Sequence, residues 1–176
     1  MILAISGSLR RESVNSAALR AAATAAAREG VEVAIDGSLR ELPHFDPDLE
    51  AVPPAAVRRF TAACEQAAGA LLAVPEYAFG IPGAFKNALD WTVRSGSLYR
   101  KPITVLSVAP LGRGGHVRAA LDAVLQALTA EVVHQSVPVS AADRDARGEI
   151  VDPDVVDALG AVAMELAARS GGARRW

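Results

Sequence analysis

The chain has 176 residues, of which 51% are apolar and 22% are charged, and its net charge is −2 at pH 7. That length suits one domain with a single core. The mildly acidic pI of about 5.9 argues against nucleic acid or an anionic membrane as a partner. Apolar runs in the sequence are much shorter than the roughly 20 residues of a membrane-spanning helix. We therefore expect neither nucleic acid nor a membrane as partner.

The chain has a single cysteine, Cys64, which excludes an internal disulfide and favours a cytoplasmic location. Cys64 follows Val57 and Phe60 at helical spacing, a pattern more typical of a buried structural residue than of a redox thiol. The three histidines show no metal-ligand spacing, so we expect no metal. Each histidine is expected on the surface or in a loop: His44, His116 and His134.

Strands and helices alternate along the chain. An apolar run over residues 1–5 predicts a buried strand, and the alanine-rich segment 14–28 predicts a helix. A turn-rich surface loop is expected over 41–48. Further strands are predicted over 31–35, 69–74, 103–108 and, in two irregular pieces, 131–133 and 136–139; further helices are predicted over 53–67, 83–94, 116–130 and 152–169.

This alternation predicts an α/β fold of flavodoxin-like size, a five-stranded parallel sheet with helices on both faces. Residues 1–170 are expected to form one domain, with 171–176 as a flexible tail. Ligands of such sheets bind beyond the carboxyl ends of the strands. The loops 8–15, 75–82 and 109–115 are therefore expected to converge on one site.

The first loop carries hydroxyl, amide and guanidinium groups at the start of a predicted helix. Ser8 and Ser13 offer hydroxyls, Asn15 an amide and Arg10 a charged fork, and a helix N-terminus attracts anions. A terminal monophosphate fits this loop, which has neither the glycine spacing of a dinucleotide fold nor a Walker lysine. The same residues also fit a capped helix beside a solvated loop, with Ser13 as the N-cap.

The second and third loops combine rigidity with exposed backbone. Residues 75–83 place Tyr77 and Phe79 between three prolines, and peptide groups there are able to contact one edge of a flat heterocycle. The glycines of 109–115 let the backbone approach the opposite edge. Ordinary surface packing is the alternative for both aromatic residues.

Two long motifs resemble those of a known family. The run Gly-Ser-Leu-Arg-Arg-Glu-Ser-Val-Asn over 7–15 resembles the phosphate loop of the NADPH-dependent FMN reductases, which include bacterial quinone, chromate and azo-dye reductases. Residues 75–91, from Pro-Glu-Tyr to Leu-Asp-Trp, resemble the second signature of that family. The loop 42–48 and the pair Lys101-Pro102 also match, so the resemblance covers about residues 2–128.

The resemblance implies non-covalent binding of FMN, with NADPH or NADH as hydride donor and a small-molecule electron acceptor. It also implies a homodimer or homotetramer, with the helix that contains Asp90 and Trp91 at the subunit contact. The implied cofactor-binding residues are Ser8, Arg10, Ser13, Val14 and Asn15 for the phosphate, Glu76, Tyr77, Ala78 and Phe79 for the ribityl chain and ring, and Ala109 for the ring from the third loop.

The hypothesis that follows is an NAD(P)H-dependent quinone reductase with a ping-pong cycle, in which FMN carries the chemistry and no side chain is catalytic. Arg113 is a candidate to assist near the flavin ring, with solvation as its alternative role. A non-enzymatic FMN-binding electron carrier or an interaction protein remains the alternative function. Ala78, Phe79 and Ala109 depart from the usual family residues, so we expect them to affect FMN affinity and acceptor choice.

Overall fold

The computed structural model describes residues 1–128 and 130–172 and contains one sheet of five parallel strands. The strand order is β2-β1-β3-β4-β5, which confirms the predicted sheet. β3 is buried along its whole length because it lies at the centre and is covered on both faces. The strands are β1 (Ile2–Ser6), β2 (Val33–Asp36), β3 (Gly69–Ala73), β4 (Pro102–Ser107) and β5 (Glu131–Ser136).

Helices cover both faces of the sheet, also as predicted. They are α1 (Val14–Arg28), α2 (Ala55–Gln66), α3 (Gly83–Ser95), α4 (Gly115–Gln126) and α5 (Pro153–Gly172), with short 3₁₀ turns at Ser38–Arg40 and Pro47–Leu49. One face packs against α1 and α5, and the other against α2, α3 and α4. None of these described helices combines the length and apolarity needed to cross a bilayer.

The alanine-rich sequence of α1 allows its close approach to α5. A Cβ added at Gly160 would lie 2.6 Å from the Cβ of Ala25, a separation that real side chains do not tolerate. Glycine in α5 therefore meets alanine in α1 where the two helices touch. The pair lets the C-terminal half of α1 pack directly against α5.

The structure differs from the prediction at β5, at the end of α4 and at the end of α5. β5 is continuous through His134 and Gln135, because these residues pair with Val105 and Leu106 of β4. α4 ends at Gln126, four residues before the predicted end at 130. α5 includes residues 171 and 172 of the predicted tail, and residues 173–176 lie outside the described residues.

Cys64 is buried, as the helical spacing predicted, with none of its surface exposed. Burial raises the pKa of its thiol to about 12, so the thiol stays protonated. The neighbouring C-terminus of α2 is stabilised by Lys101, whose Nζ donates to the carbonyl oxygens of Cys64, Glu65 and Ala67 at 2.6–2.7 Å. A cation at a helix C-terminus satisfies carbonyls that lack intrahelical partners.

Candidate functional site

The loops that follow β1, β3 and β4 meet at the carboxyl edge of the sheet, as predicted. Gly7 makes the closest approach, since its N–H donates to the carbonyl oxygen of Ala73 at 2.8 Å. A Cβ at Gly7 would lie 2.8 Å from Cγ1 of Val74. Glycine at this position thus allows the first loop to lie directly against the end of β3.

The N-terminus of α1 offers free backbone donors. The Ser13 hydroxyl caps the helix by accepting a 3.4 Å hydrogen bond from the N–H of Ser16, which confirms the predicted N-cap. The N–H groups of Val14 and Asn15 have no acceptor among the hydrogen bonds of residues 1–128 and 130–172. Two donors and the positive end of the helix dipole are therefore available to an anion.

Hydroxyl groups fix the shape of the first loop. Ser16 Oγ donates to Ser6 Oγ at 2.9 Å, which ties the first turn of α1 to the end of β1. Ser8 Oγ accepts from the N–H of Arg10 at 3.2 Å. The Arg10 side chain is exposed at the rim of this loop, where a guanidinium is able to fold over a bound anion.

A tight turn shapes the loop after β3. The N–H and C=O groups of Tyr77 and Gly80 form two hydrogen bonds, of 3.1 and 3.0 Å. Between them Ala78 and Phe79 have φ angles of +49° and +59°. Two consecutive left-handed residues define a type I′ turn, which normally selects Asn-Gly because a Cβ strains this backbone. Two of the three residues that depart from the family pattern, Ala78 and Phe79, are therefore the strained residues of this turn.

The aromatic residues of this turn face outward. Phe79 is 76% exposed and Tyr77 is 53% exposed. The Phe79 ring makes an edge-to-face contact with the imidazole of His116, with centroids 5.0 Å apart. The contact joins the tip of the β3 loop to the first turn of α4.

Glu76 is the structural link between the second and third loops. Its Oε2 accepts hydrogen bonds from the backbone N–H groups of His116 and Val117, both at 3.1 Å. A carboxylate at this position caps α4 and complements its dipole. The family resemblance implies a contact of Glu76 with the ribityl chain or ring; its capping role has no local signal in the sequence, because Glu76 and His116 lie 40 residues apart.

A cavity of about 330 Å³ opens between the three loops, within the range of small-molecule sites. It brings together four of the ten predicted residues, namely Val14, Asn15, Glu76 and Ala109. The other six flank it on the same loops without lining it: Ser8, Arg10, Ser13, Tyr77, Ala78 and Phe79.

Most of the cavity wall formed by α4 and its N-cap residue was not predicted from the sequence. Gly114, Val117, Arg118 and Leu121 line the cavity, and their spacing of three, four and seven residues marks one face of the helix. That spacing was visible in the sequence. The sequence did not show that this face lines a cavity, because the same spacing is typical of a helix packed against a sheet. Arg113, just before the helix, also lines the cavity.

The surface or loop prediction is confirmed for His44 and His116 and is wrong for His134. His134 is half-buried in β5, where it lines the cavity. Its Nε2 lies 2.6 Å from Oδ1 of Asp122 in α4. The structure therefore uses this histidine to tie α4 to the edge strand. Groups of three or more residues able to ligate a metal are absent from the described part of the chain.

The second sequence motif also has a structural role, in α3. The Asn87 side chain accepts from the N–H of Phe45 at 2.7 Å and donates to the carbonyl oxygen of Pro43 at 2.9 Å. Trp91 Nε1 donates to the same oxygen at 3.1 Å. Trp91 is 3% exposed and its ring packs edge-on against Phe45. The motif thus fastens the loop before α2 to α3.

The donors and cavity described above fit a flat cofactor with a terminal phosphate. The unpaired N–H groups of Val14 and Asn15 belong to residues that line the cavity on one side, and the second and third loops contribute Pro75, Glu76 and Ala109 on the other. Gly112 and Gly114, with φ angles of +81° and +82°, leave the third loop free of side chains at two positions.

Comparison with known proteins gives the same assignment. The family model described as NADPH-dependent FMN reductase matches residues 1–144. The chain is 32% identical to a probable NADPH:quinone oxidoreductase 2 of Oryza sativa subsp. japonica, over 95% of this chain and 87% of that protein. It is 35% identical to an NAD(P)H-dependent FMN reductase of Pseudomonas aeruginosa, over 86% and 84%.

A solved structure shows the same architecture. The flavoenzyme NAD(P)H:(acceptor) oxidoreductase FerB from Paracoccus denitrificans superposes with a TM-score of 0.76 at 26% identity, over 97% of each chain. This similarity confirms the predicted flavodoxin-like fold. The chain belongs to the NADPH-dependent FMN reductase family of oxidoreductases.

Proposed function

We propose that the protein binds FMN non-covalently in the cavity between the three loops and reduces quinones or similar small acceptors with NADPH or NADH. The observation that carries the proposal is the N-terminus of α1, where the N–H groups of Val14 and Asn15 are without acceptors and both residues line the cavity. Ser8 and Ser13 supply hydroxyls beside them, and Arg10 supplies the counter-charge at the rim.

The second and third loops would bind the ring end of the cofactor. Peptide groups of Tyr77, Ala78 and Phe79 border it on one side and Ala109 on the other. Glu76 contributes through its bonds to α4, which hold the two loops at a fixed separation. Such contacts position and tune a flavin without side-chain acid or base groups.

FMN held there would supply the hydride chemistry, taking two electrons from the nicotinamide and giving them to the acceptor. The three loops border a single shared cavity, which supports a ping-pong order in which donor and acceptor occupy the same space in turn. Phe79 and Tyr77 present exposed aromatic surface on the second loop, next to the lining residue Glu76, and a flat quinone is the class of acceptor that such a surface accommodates.

We further propose a homodimer or homotetramer in the cytoplasm. The buried cysteine fits a reducing compartment. For the subunit contact, α3 offers its outer face, where Lys86 and Asp90 form an ion pair of 2.6 Å. Trp91 does not belong to that face, since it is buried within the single chain.

The test is purification followed by steady-state kinetics. A yellow protein that releases FMN on denaturation and oxidises NADPH or NADH with a quinone, giving parallel lines in double-reciprocal plots, supports the proposal. A protein that holds FMN without oxidising either nucleotide would instead be an electron carrier. A colourless protein that does not bind added FMN would be an interaction protein.

A further inference from the structure

Two arginines on the α4 side of the cavity have no role in the proposed FMN site. Arg113 and Arg118 both line the cavity, and both are exposed. Ion pairs and side-chain hydrogen bonds of the described residues include neither guanidinium. Two positive charges therefore face one cavity with no acidic partner of their own.

Two acidic groups of this region, Glu76 in the cavity wall and Asp122 in α4, are already engaged. The Glu76 carboxylate is held by the two N–H groups at the start of α4. Asp122, one turn after Arg118, has its Oδ1 at 2.6 Å from His134. Because both carboxylates have other partners, the positive charge of the arginines is available to a ligand.

The proposed FMN phosphate does not account for these arginines. Its anchor is the N-terminus of α1, which packs on one face of the sheet, whereas α4 packs on the other. The N-terminus of α4 is not free to bind an anion, because the Glu76 carboxylate already caps it. The two arginines therefore offer guanidinium donors to an anion at a place in the cavity that the α1 anchor does not serve.

We propose that Arg113 and Arg118 bind a phosphate group of the nicotinamide nucleotide. This inference rests on the proposed function, in which that nucleotide enters the cavity as hydride donor. A guanidinium recognises phosphate oxygens through two parallel hydrogen bonds, and a terminal phosphate is able to accept such pairs from two arginines. The phosphate is either the 2′-phosphate of NADPH or the pyrophosphate shared by both donors.

The experiment measures nucleotide-fragment binding by calorimetry in the presence of saturating FMN. The probes are adenosine 2′,5′-bisphosphate and ADP, and the variants are Arg113→Ala, Arg118→Ala and the double variant. Arg28→Ala is the matched control, because Arg28 is exposed at the far end of α1, at the opposite edge of the sheet. Circular dichroism verifies that each variant is folded.

We expect the Kd of the bisphosphate to rise about tenfold for each lost arginine, as for one charge-assisted contact, and to stay unchanged in Arg28→Ala. An unchanged Kd for ADP identifies the 2′-phosphate, and an equal rise identifies the pyrophosphate. The inference is overturned if the folded double variant binds both probes like the wild type, or if the wild type binds neither.

Failure of the proposed function has a different signature. Absence of nucleotide oxidation by the FMN-loaded wild type counts against the reductase alone, since probe binding is measured without turnover. If FMN does not fill the α1 anchor, the probes bind there instead. Their Kd then responds to Arg10→Ala and not to the two α4 substitutions, and this result also overturns the inference.

Discussion

The Glu76 carboxylate and the backbone N–H of Val117 are joined by a 3.1 Å hydrogen bond between the loop after β3 and the first turn of α4. The same oxygen accepts from the N–H of His116. An acidic residue after one strand thus supplies the helix cap that the glycine-rich sequence before α4 lacks, since Gly114 provides no side chain.

Replacing Glu76 tests this coupling. We expect Glu76→Ala to lower the free energy of unfolding by about 1–3 kcal/mol, because two N–H groups lose their acceptor. Glu76→Gln keeps an acceptor and loses the charge at the helix N-terminus, so about 0.3–1 kcal/mol is expected. Urea denaturation measures both. The exposed Glu32→Gln is the control, and an equal loss there would remove the capping explanation.

The strained turn predicts a stabilising substitution. Ala78→Gly relieves a Cβ at φ +49°, and we expect a gain of about 1 kcal/mol in the free energy of unfolding. The matched control is Ala119→Gly on the exposed side of α4, where the same change should cost about 0.5–1 kcal/mol. Loss of stability at both positions would contradict the left-handed backbone assigned to residue 78.

The phosphate anchor makes a ligand-specific prediction. Arg10→Ala should raise the Kd of FMN about tenfold, as expected for one charge-assisted contact, and leave the Kd of riboflavin unchanged, because riboflavin has no phosphate. Flavin fluorescence quenching measures both constants. Arg28→Ala, at the other end of α1, should change neither. Equal weakening of the two ligands by Arg10→Ala would reject the phosphate contact.

Substitution of Trp91 tests whether this residue contributes to the stability of the single chain or to a subunit contact. Trp91→Phe removes the hydrogen bond from Nε1 to the Pro43 carbonyl oxygen and part of the packing against Phe45. We expect a loss of about 1–3 kcal/mol in stability and an unchanged mass in sedimentation velocity. A lower mass at unaltered stability would instead place Trp91 at a subunit contact.

Sequence periodicity predicted the fold well because each element carries its own local signal. The apolar run of β3 and the alanine-rich α1 depend on residues close in sequence, and β1, β3 and β4 ended within a residue or two of the predicted positions. β5 was predicted in two pieces because His134 and Gln135 look polar in sequence. Pairing with β4 keeps them in the strand.

The site was less predictable because its contacts are non-local. The N-cap Ser13 was found since capping is decided within three residues. The bond from Glu76 to α4 joins residues 40 apart, and no local pattern encodes it. Arg118 was missed for a similar reason, because only the tertiary structure shows that its side of α4 borders a cavity.

Burial of Cys64 gives a prediction of reactivity and pH dependence. With the thiol pKa raised from 9.0 to about 12 by burial, the thiolate fraction at pH 8 falls about 1,000-fold. A disulfide reagent should therefore label the native protein at least that much more slowly than the urea-unfolded protein. Since the chain has one cysteine, the unfolded sample, in which one thiol reacts per chain, is the internal control.

The same shift has a defined effect on stability. Because the folded pKa lies above the unfolded one, the protonated thiol favours the folded state, fully so below pH 9 and progressively less as the pH rises towards 12. The stability of the wild type relative to Cys64→Ala should therefore decrease above about pH 9. Rapid labelling of the native protein at pH 8, or a pH-independent difference, would show that the thiol is accessible and not held in the core.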